Sequence, residues 1–400
     1  MAKIVIPDGS EFPSTAEVVV IGGGILGAAT AFYASRAGLQ AVVLEMREGL
    51  ASLTTAASEE CFRAQFSEAE NVEMMLASIQ VYETFADLIG IPDYGISLRQ
   101  QGYLFLSDSP DAPTKLQERV QHQQRIGLAD VEYLSGDEVR RRFPWAGPAV
   151  TAATYRAKDG WLSAHEATYG FAKGSAAQFL LRTKALGLRT DAHGVCAVET
   201  SRGVIETRQV VAAAGPFSGE VAQLAGLDLP LTAVRRQKVI LAPDPLIPSD
   251  APMTIDDVGG AYWRPEVGGA AIGWALPEEP GRPVEKVPTD WTFPALALEE
   301  VSRLAPFWSQ VAERLTRANV FLSAGQYTMT PDSKPILGPC GVPGLFLNAG
   351  YSGHGIMAAP EGSRMVVEMM LGRLDAETSP FGLARFKGAQ GRLQTERMVI

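Results

Sequence analysis

Apolar positions follow two rhythms along this chain. Val18–Ile21 and Ala41–Leu44 are unbroken apolar runs, as in strands buried on both faces. Between them lie Gly22, Gly24 and Gly27 in G-x-G-x-x-G spacing, followed by an apolar, Ala-rich stretch, and Glu45 closes the second run. The pattern predicts a strand–turn–helix–strand unit over 16–44. Its order suits a dinucleotide pyrophosphate. The first glycine allows a tight turn, the second a close backbone approach, and the third close packing of helix on strand. The helix N-terminus then faces the phosphates, and Glu45 stands where a ribose diol would lie.

A 3.6-residue rhythm predicts a helix over 68–88, where Val72, Met75, Leu76, Ile79, Tyr82, Phe85 and Leu88 recur at three- and four-residue steps. Alternation predicts a strand over 102–107, and a polar pattern predicts an exposed helix over 112–126. Ser135-Gly136-Asp137-Glu138 reads as a helix start, with Pro144 beyond its end. Further helices are predicted over 166–181 and 356–371, and strands near 183–188 and over 194–200, 204–214 and 345–348. Segments rich in Pro and Gly over 242–294 bracket strands at 261–264 and 270–274, which suggests a mostly antiparallel sheet. Pieces of two layers therefore interleave.

Composition narrows the chemistry. The chain has 400 residues, 46% hydrophobic and 20% charged, with a formal net charge of −10. That charge argues against nucleic acid as the main partner. Cys61, Cys196 and Cys340 are far apart, which suits a reducing compartment and offers no zinc spacing. His122, His165, His193 and His354 form no ligand motif, so no metal is expected. Residues 1–16 lack a basic patch followed by an apolar core, and no apolar run reaches membrane-spanning length. The expectation is a cytoplasmic protein without an integral membrane segment.

Three further segments share the order and spacing of one family. They are Ala213-Ala214-Gly215-Pro216, Gly325-Gln326-Tyr327-Thr328-Met329-Thr330-Pro331-Asp332, and Gly350-Tyr351-Ser352-Gly353-His354-Gly355. With the opening unit, the chain resembles the D-amino acid oxidase / sarcosine oxidase family of FAD-dependent amine oxidoreductases, including glycine oxidase and the sarcosine oxidase beta subunit. The resemblance implies an α/β fold: a discontinuous Rossmann-type FAD-binding domain (1–95, 150–232 and 325–400) with an inserted α+β substrate domain (96–149 and 233–324) carrying a mostly antiparallel sheet. It places Gly22, Gly24, Ile25, Leu26 and Gly27 at the FAD pyrophosphate. Glu45, Met46 and Arg47 fall near the adenosine ribose, and the Ala185 backbone at the adenine. Thr54, Thr55, Ala57, Cys61, Ala214, Gly215 and Gly325 fall along the flavin linker and ring, as do Gly350, Gly353, His354, Gly355, Ile356 and Met357. Arg63 matches the arginine that holds a substrate carboxylate, and a guanidinium is an always-charged bidentate clamp for one. His354 is expected to bring positive charge to the flavin; the other reading is that the dipole of the helix that follows suffices without a charged imidazole. Tyr262, Gln326 or Tyr327 is expected as a neutral donor to the substrate carboxylate; for Tyr262, ordinary sheet packing is the other reading.

The pattern also breaks. A flavin-linking cysteine is replaced by Gly325, so FAD is expected to bind non-covalently. A second carboxylate-binding lysine is replaced by Met357. No lysine stands in 269–273, where relatives place one to activate oxygen, and this favours a dehydrogenase over an oxidase. Glu59 and Glu60 suit either a cationic substrate or solvent. The expected function is oxidation of an amino acid or N-alkyl amino acid by hydride transfer to FAD, with O2 or another acceptor taking the electrons. Alternatives are a flavin 2-hydroxyacid dehydrogenase, a hetero-oligomeric subunit, or an FAD-binding assembly protein. A homo- or hetero-oligomer is compatible with each.

Overall fold

Val18–Ile21 and Ala41–Leu44 pair in parallel, and the helix Ile25–Arg36 joins them, in the computed structural model, which describes residues 2–7, 12–387 and 393–398. Residues 1, 8–11, 388–392 and 399–400, included in the expected segments 1–95 and 325–400, lie outside the described residues. Among those described, the pair sits in a seven-stranded sheet. Its order is Lys3–Val5, Gln178–Leu180, Ala41–Leu44, Val18–Ile21, Val210–Ala212, Leu345–Ala349 and Ile336–Pro339. Every pairing is parallel except the last. Strands from both ends of the chain thus meet in one sheet, which is what its interleaved pattern required.

One face of this sheet is covered by the helices Ile25–Arg36, Ala69–Glu83, Ala164–Gly174 and Gly355–Met370, which share a large apolar core. The other face packs on a three-stranded antiparallel sheet, Ala185–Asp191, Gly194–Thr200 and Gly203–Glu206. Pro360 lies in the first turns of Gly355–Met370 and has no N–H to give the Ile356 carbonyl. The Tyr82 hydroxyl donates to that carbonyl instead, at 2.6 Å, so the helix starts intact beneath the cofactor-side loop.

The second sheet has eight strands, antiparallel but for one pair. Its order is Val320–Met329, Thr232–Leu241, Gly269–Trp274, Ala261–Glu266, Met253–Asp256, Tyr103–Ser107, Ala152–Arg156 and Glu132–Ser135. It draws on residues on either side of the boundaries expected at 150 and 325. The helices Phe293–Leu304 and Phe307–Ala312 back it, with Trp308 fully buried.

Some sequence-based expectations need correction. The helix expected over 166–181 ends at Gly174, because Gln178–Leu180 is a strand of the first sheet. The strand expected over 204–214 divides into Gly203–Glu206 and Val210–Ala212, which enter different sheets. The helix over 68–88 breaks at Thr84 into Ala69–Glu83 and Phe85–Ile89. The start at Ser135 is a capping box with Glu138, as the spacing suggested.

Candidate active site

The strand Val18–Ile21 and the helices Ile25–Arg36 and Gly355–Met370 border a cavity of about 740 Å³, within the range of about 300–1,000 Å³ usual for small-molecule sites. Gly22 and Gly24 stand on one side of it, and Gly350, Gly353 and Gly355 on the other. The two glycine segments are therefore one site. Their helices, Ile25–Arg36 and Gly355–Met370, have no side-chain cap from their N-cap residues Gly24 and His354. Such ends leave backbone N–H donors and a partial positive charge for an anion. The Thr55 hydroxyl accepts from the Ile25 amide at a long 3.3 Å. Gly27 is not on the wall. Its missing side chain lets the helix cross the turn, for a Cβ there would sit 1.8 Å from the Gly22 carbonyl oxygen.

Glu45 is buried on the wall with both carboxylate oxygens oriented: one accepts from the Gly23 amide and the other from the Arg47 amide, each at 2.8 Å. Burial pushes its carboxyl up despite these bonds. Each oxygen retains capacity for a further donor. Met46, Thr54, Thr55, Ala57, Ala185, Ala214, Gly215, Gly325, Ile25, Leu26 and Ile356 also line this cavity. Arg47 does not; its guanidinium donates to the Glu285 carbonyl at 2.9 Å and ties down a loop whose residues Pro283, Val284 and Glu285 do. Gln326 lines the same cavity. Its side-chain oxygen accepts from the Val284 amide at 2.9 Å, so it steadies that loop and does not reach the smaller cavity described next.

That second cavity measures about 50 Å³ and shares Ser58, Tyr327, Gly353 and Ile356 with the large one. Arg63, His354, Tyr262, Cys61 and Met357 line it. Cys61 and Met357, expected along the cofactor, thus belong to the adjoining chamber. Glu59, Glu60, Tyr103, Met253 and Tyr327 complete it. Tyr262 lies flat against Gly273, where a Cβ would be 2.2 Å from its ring.

Arg63 is 1% exposed and stacks 4.0 Å from the Phe66 ring centroid. Its loop is braced from behind by the buried Arg156–Asp159 pair, with Asp159 accepting from the Ala64 amide at 3.0 Å. Its terminal nitrogens donate to the carbonyls of Gln65 and Met398, while Nε is buried without a partner. The expected bidentate clamp is thus partly engaged. Met398 arrives on a segment anchored by Glu396, whose carboxylate accepts from the Ser67 amide at 2.9 Å and from Asn71 at 2.9 Å. No local pattern could have placed residue 398 over residue 63.

His354 is buried edge-on to Phe66, with ring centroids 4.9 Å apart. Burial first, and then the Arg63 charge, hold its pKa down to about 3. The expected imidazolium is therefore a neutral imidazole, and positive potential at this wall comes from the N-terminus of Gly355–Met370 and from Arg63. Burial likewise pushes the Cys61 thiol up to about 12, so it is no thiolate.

Two cations escaped the motif reading. Lys238 pairs in register with Gly273, and its ammonium donates to the Ser58 carbonyl at 2.5 Å. A lysine therefore approaches the shared wall from the strand beside 269–273. Arg236 lines the large cavity with a buried, unpartnered Nε. This orphaned donor, the two uncapped helix ends and oriented Glu45 fit an anionic dinucleotide. Among the described residues no cluster suits a metal ion, and no helix is long and apolar enough to cross a membrane.

Comparison with known proteins decides the family. Residues 17–369 match the family model DAO, FAD dependent oxidoreductase. The chain belongs to that family. It is 27% identical to FAD-dependent oxidoreductase domain-containing protein 1 of Mus musculus, over 94% of this chain and 85% of the relative. It is 23% identical to sarcosine oxidase subunit beta of Rhodobacter capsulatus, over 94% and 89%. Among solved structures, L-proline dehydrogenase from P. horikoshii superposes with a TM-score of 0.82 at 26% identity, covering 94% of this chain and 98% of that one. Glycine oxidase from Geobacillus kaustophilus gives 0.81 at 22% identity, covering 94% and 100%, and supports the fold alone. The chain is thus an FAD-dependent oxidoreductase of the DAO family, with the expected parallel nucleotide sheet and largely antiparallel second sheet.

Proposed function

We propose that this oxidoreductase acts on an amino acid or N-alkyl amino acid, removing hydride from the carbon beside nitrogen to leave an imine that water hydrolyses. One observation carries the reading: a small chamber with Arg63 buried in its wall opens on the large glycine-walled cavity and shares Ser58, Tyr327, Gly353 and Ile356 with it. FAD, when bound, supplies the two-electron acceptor. The amides around Gly22, Gly24, Ile25 and Leu26 would hold its pyrophosphate, Glu45 its ribose and the Ala185 backbone its adenine. The 350–357 loop would run along the ring, with Thr54, Thr55, Ala57, Ala214 and Gly215 between. Gly325 offers no side chain for a covalent link.

In the chamber, Arg63 takes the substrate carboxylate first through its free Nε. A second contact requires the Met398 carbonyl to yield its nitrogen. Neutral His354 excludes water without adding charge, while the N-terminus of Gly355–Met370 favours negative charge developing on the cofactor side. Tyr262 and Met253 fix the substrate's position by packing. Holding the reacting carbon close is the chief contribution of these residues.

The test is anaerobic titration of the yellow holoprotein with amino acids, N-methyl amino acids and 2-hydroxy acids, followed at the flavin absorbance band. Bleaching by an amine supports the reading. Bleaching by hydroxy acids alone, or by nothing, rejects it. Rapid mixing of the reduced protein with O2 then separates an oxidase from a dehydrogenase.

A further inference from the structure

Glu59 and Glu60 are adjacent in sequence but are used differently. Glu60 is in the left-handed region at φ 62, which costs an ordinary side chain on the order of 1–2 kcal/mol. Glu60 also lines the chamber, but its carboxylate oxygens already have partners, one accepting from the Ala164 amide at 2.9 Å and the other pairing with Arg264. Arg264 is itself buried against Trp161 and also pairs with Glu266. Glu59 lines the small chamber, and both its carboxylate oxygens are buried without a hydrogen-bond partner. Only its backbone carbonyl is engaged, accepting from Cys61 Sγ and from Arg264 Nε at 3.1 Å.

A carboxylate with two orphaned oxygens is costly to bury and calls for a donor. The charged groups around it are Lys238, Arg264, Glu60 and Glu266. Lys238 and Arg264 act on it only through their charge, for neither makes a hydrogen bond to either carboxylate oxygen. Among the described residues the chamber has one such acceptor, Glu59, and one such donor, Arg63 Nε. A small molecule with an ammonium and a carboxylate satisfies both.

We propose that Glu59 receives the substrate's ammonium group and takes its proton, an inference that rests on the amine reading above. The substrate class is then a small zwitterion, with its carboxylate toward Arg63 and its nitrogen toward Glu59. One N–H bond breaks and one O–H bond forms on a Glu59 oxygen. The lone pair left on nitrogen becomes the C=N bond as hydride leaves the neighbouring carbon for the bound flavin. Burial favours this step, since it raises the proton affinity of the Glu59 carboxylate.

Binding tests this without turnover. Holoprotein reduced with dithionite under anaerobic conditions is titrated by calorimetry with N-methylglycine and with acetate. The wild type is expected to prefer N-methylglycine at least tenfold. Glu59→Gln removes that preference to within threefold without weakening acetate binding, while Glu59→Asp keeps part of it. A wild type without the preference, or a Glu59→Gln variant that retains it, overturns the proposal. Thermal melting and flavin content confirm that the variants are folded. Should no amine reduce the flavin of the wild type, the proposed oxidation fails, whereas the binding preference and its loss on substitution still report on Glu59.

Discussion

The large cavity and the small chamber touch, yet they are built from different materials. The large one is mostly backbone: glycine turns, strand ends and two uncapped helix N-termini, with Glu45 oriented by amides. The small one is mostly side chains, brought from segments as distant as residues 59–63, 103, 253–262 and 354–357. A backbone site binds a group common to many reactions and tolerates little change in shape. A side-chain site sets the chemistry and can change charge without losing the fold. The contrast explains why the dinucleotide motif was readable from local pattern, whereas Arg63, His354 and Tyr262 of the chamber were reached only through the family resemblance.

The comparison can be broken in order of expected effect. Gly27→Val strikes the backbone site where a Cβ would meet the Gly22 carbonyl oxygen at 1.8 Å. A loss of about 4 kcal/mol or more is expected, with loss of bound flavin, read by thermal unfolding and absorbance. Retention of both would show that the turn is not rigid. Arg63→Ala strikes the chamber instead. Flavin content is expected to hold while binding of carboxylate substrates weakens by about 2–5 kcal/mol, measured by steady-state kinetics. Unchanged kinetics would remove Arg63 from the site.

His354 sharpens the contrast through pH. The folded protein holds it neutral to about pH 3, whereas the unfolded chain takes a proton below its ordinary 6.5. The unfolded state therefore binds more protons in that window, and stability falls as pH falls through it. Between pH 6.5 and about pH 5 this amounts to about 2 kcal/mol. His354→Gln should flatten that part of the slope in denaturant unfolding at several pH values; an unaltered slope would mean the imidazole is charged in the fold. The smallest effect is expected at the cap. Glu396→Ala removes the carboxylate that fastens the 393–398 segment to Ser67 and Asn71. A cost of about 1 kcal/mol is expected, with faster amide exchange confined to that segment and easier access of substrate to Arg63.

Particular residues show what was legible. Gly22, Gly24 and Glu45 were readable because a βαβ unit is local: its turn, helix and acid are fixed by neighbours within 30 positions. The 350–355 loop was readable for a similar reason, since a strand, a glycine turn and a helix follow in order. The bond from the Val284 amide to Gln326 was hidden because the two are 42 residues apart and carry no shared pattern. The division of labour between Glu59 and Glu60 was also hidden. Two adjacent acids look alike until the backbone turns between them.

The sequence alone determined that an apolar strand, a glycine turn and a helix would make an anion-binding end, and that a second glycine loop would open another helix. Those are consequences of short-range sterics and hydrophobic periodicity, which act within a few residues. Tertiary structure decided that the two ends share one cavity, that Met398 reaches Arg63, that His354 is neutral and that the Glu59 carboxylate has no hydrogen-bond partner. Each of these depends on burial and on charges far apart in the chain, and desolvation exists only once the chain has closed around the group.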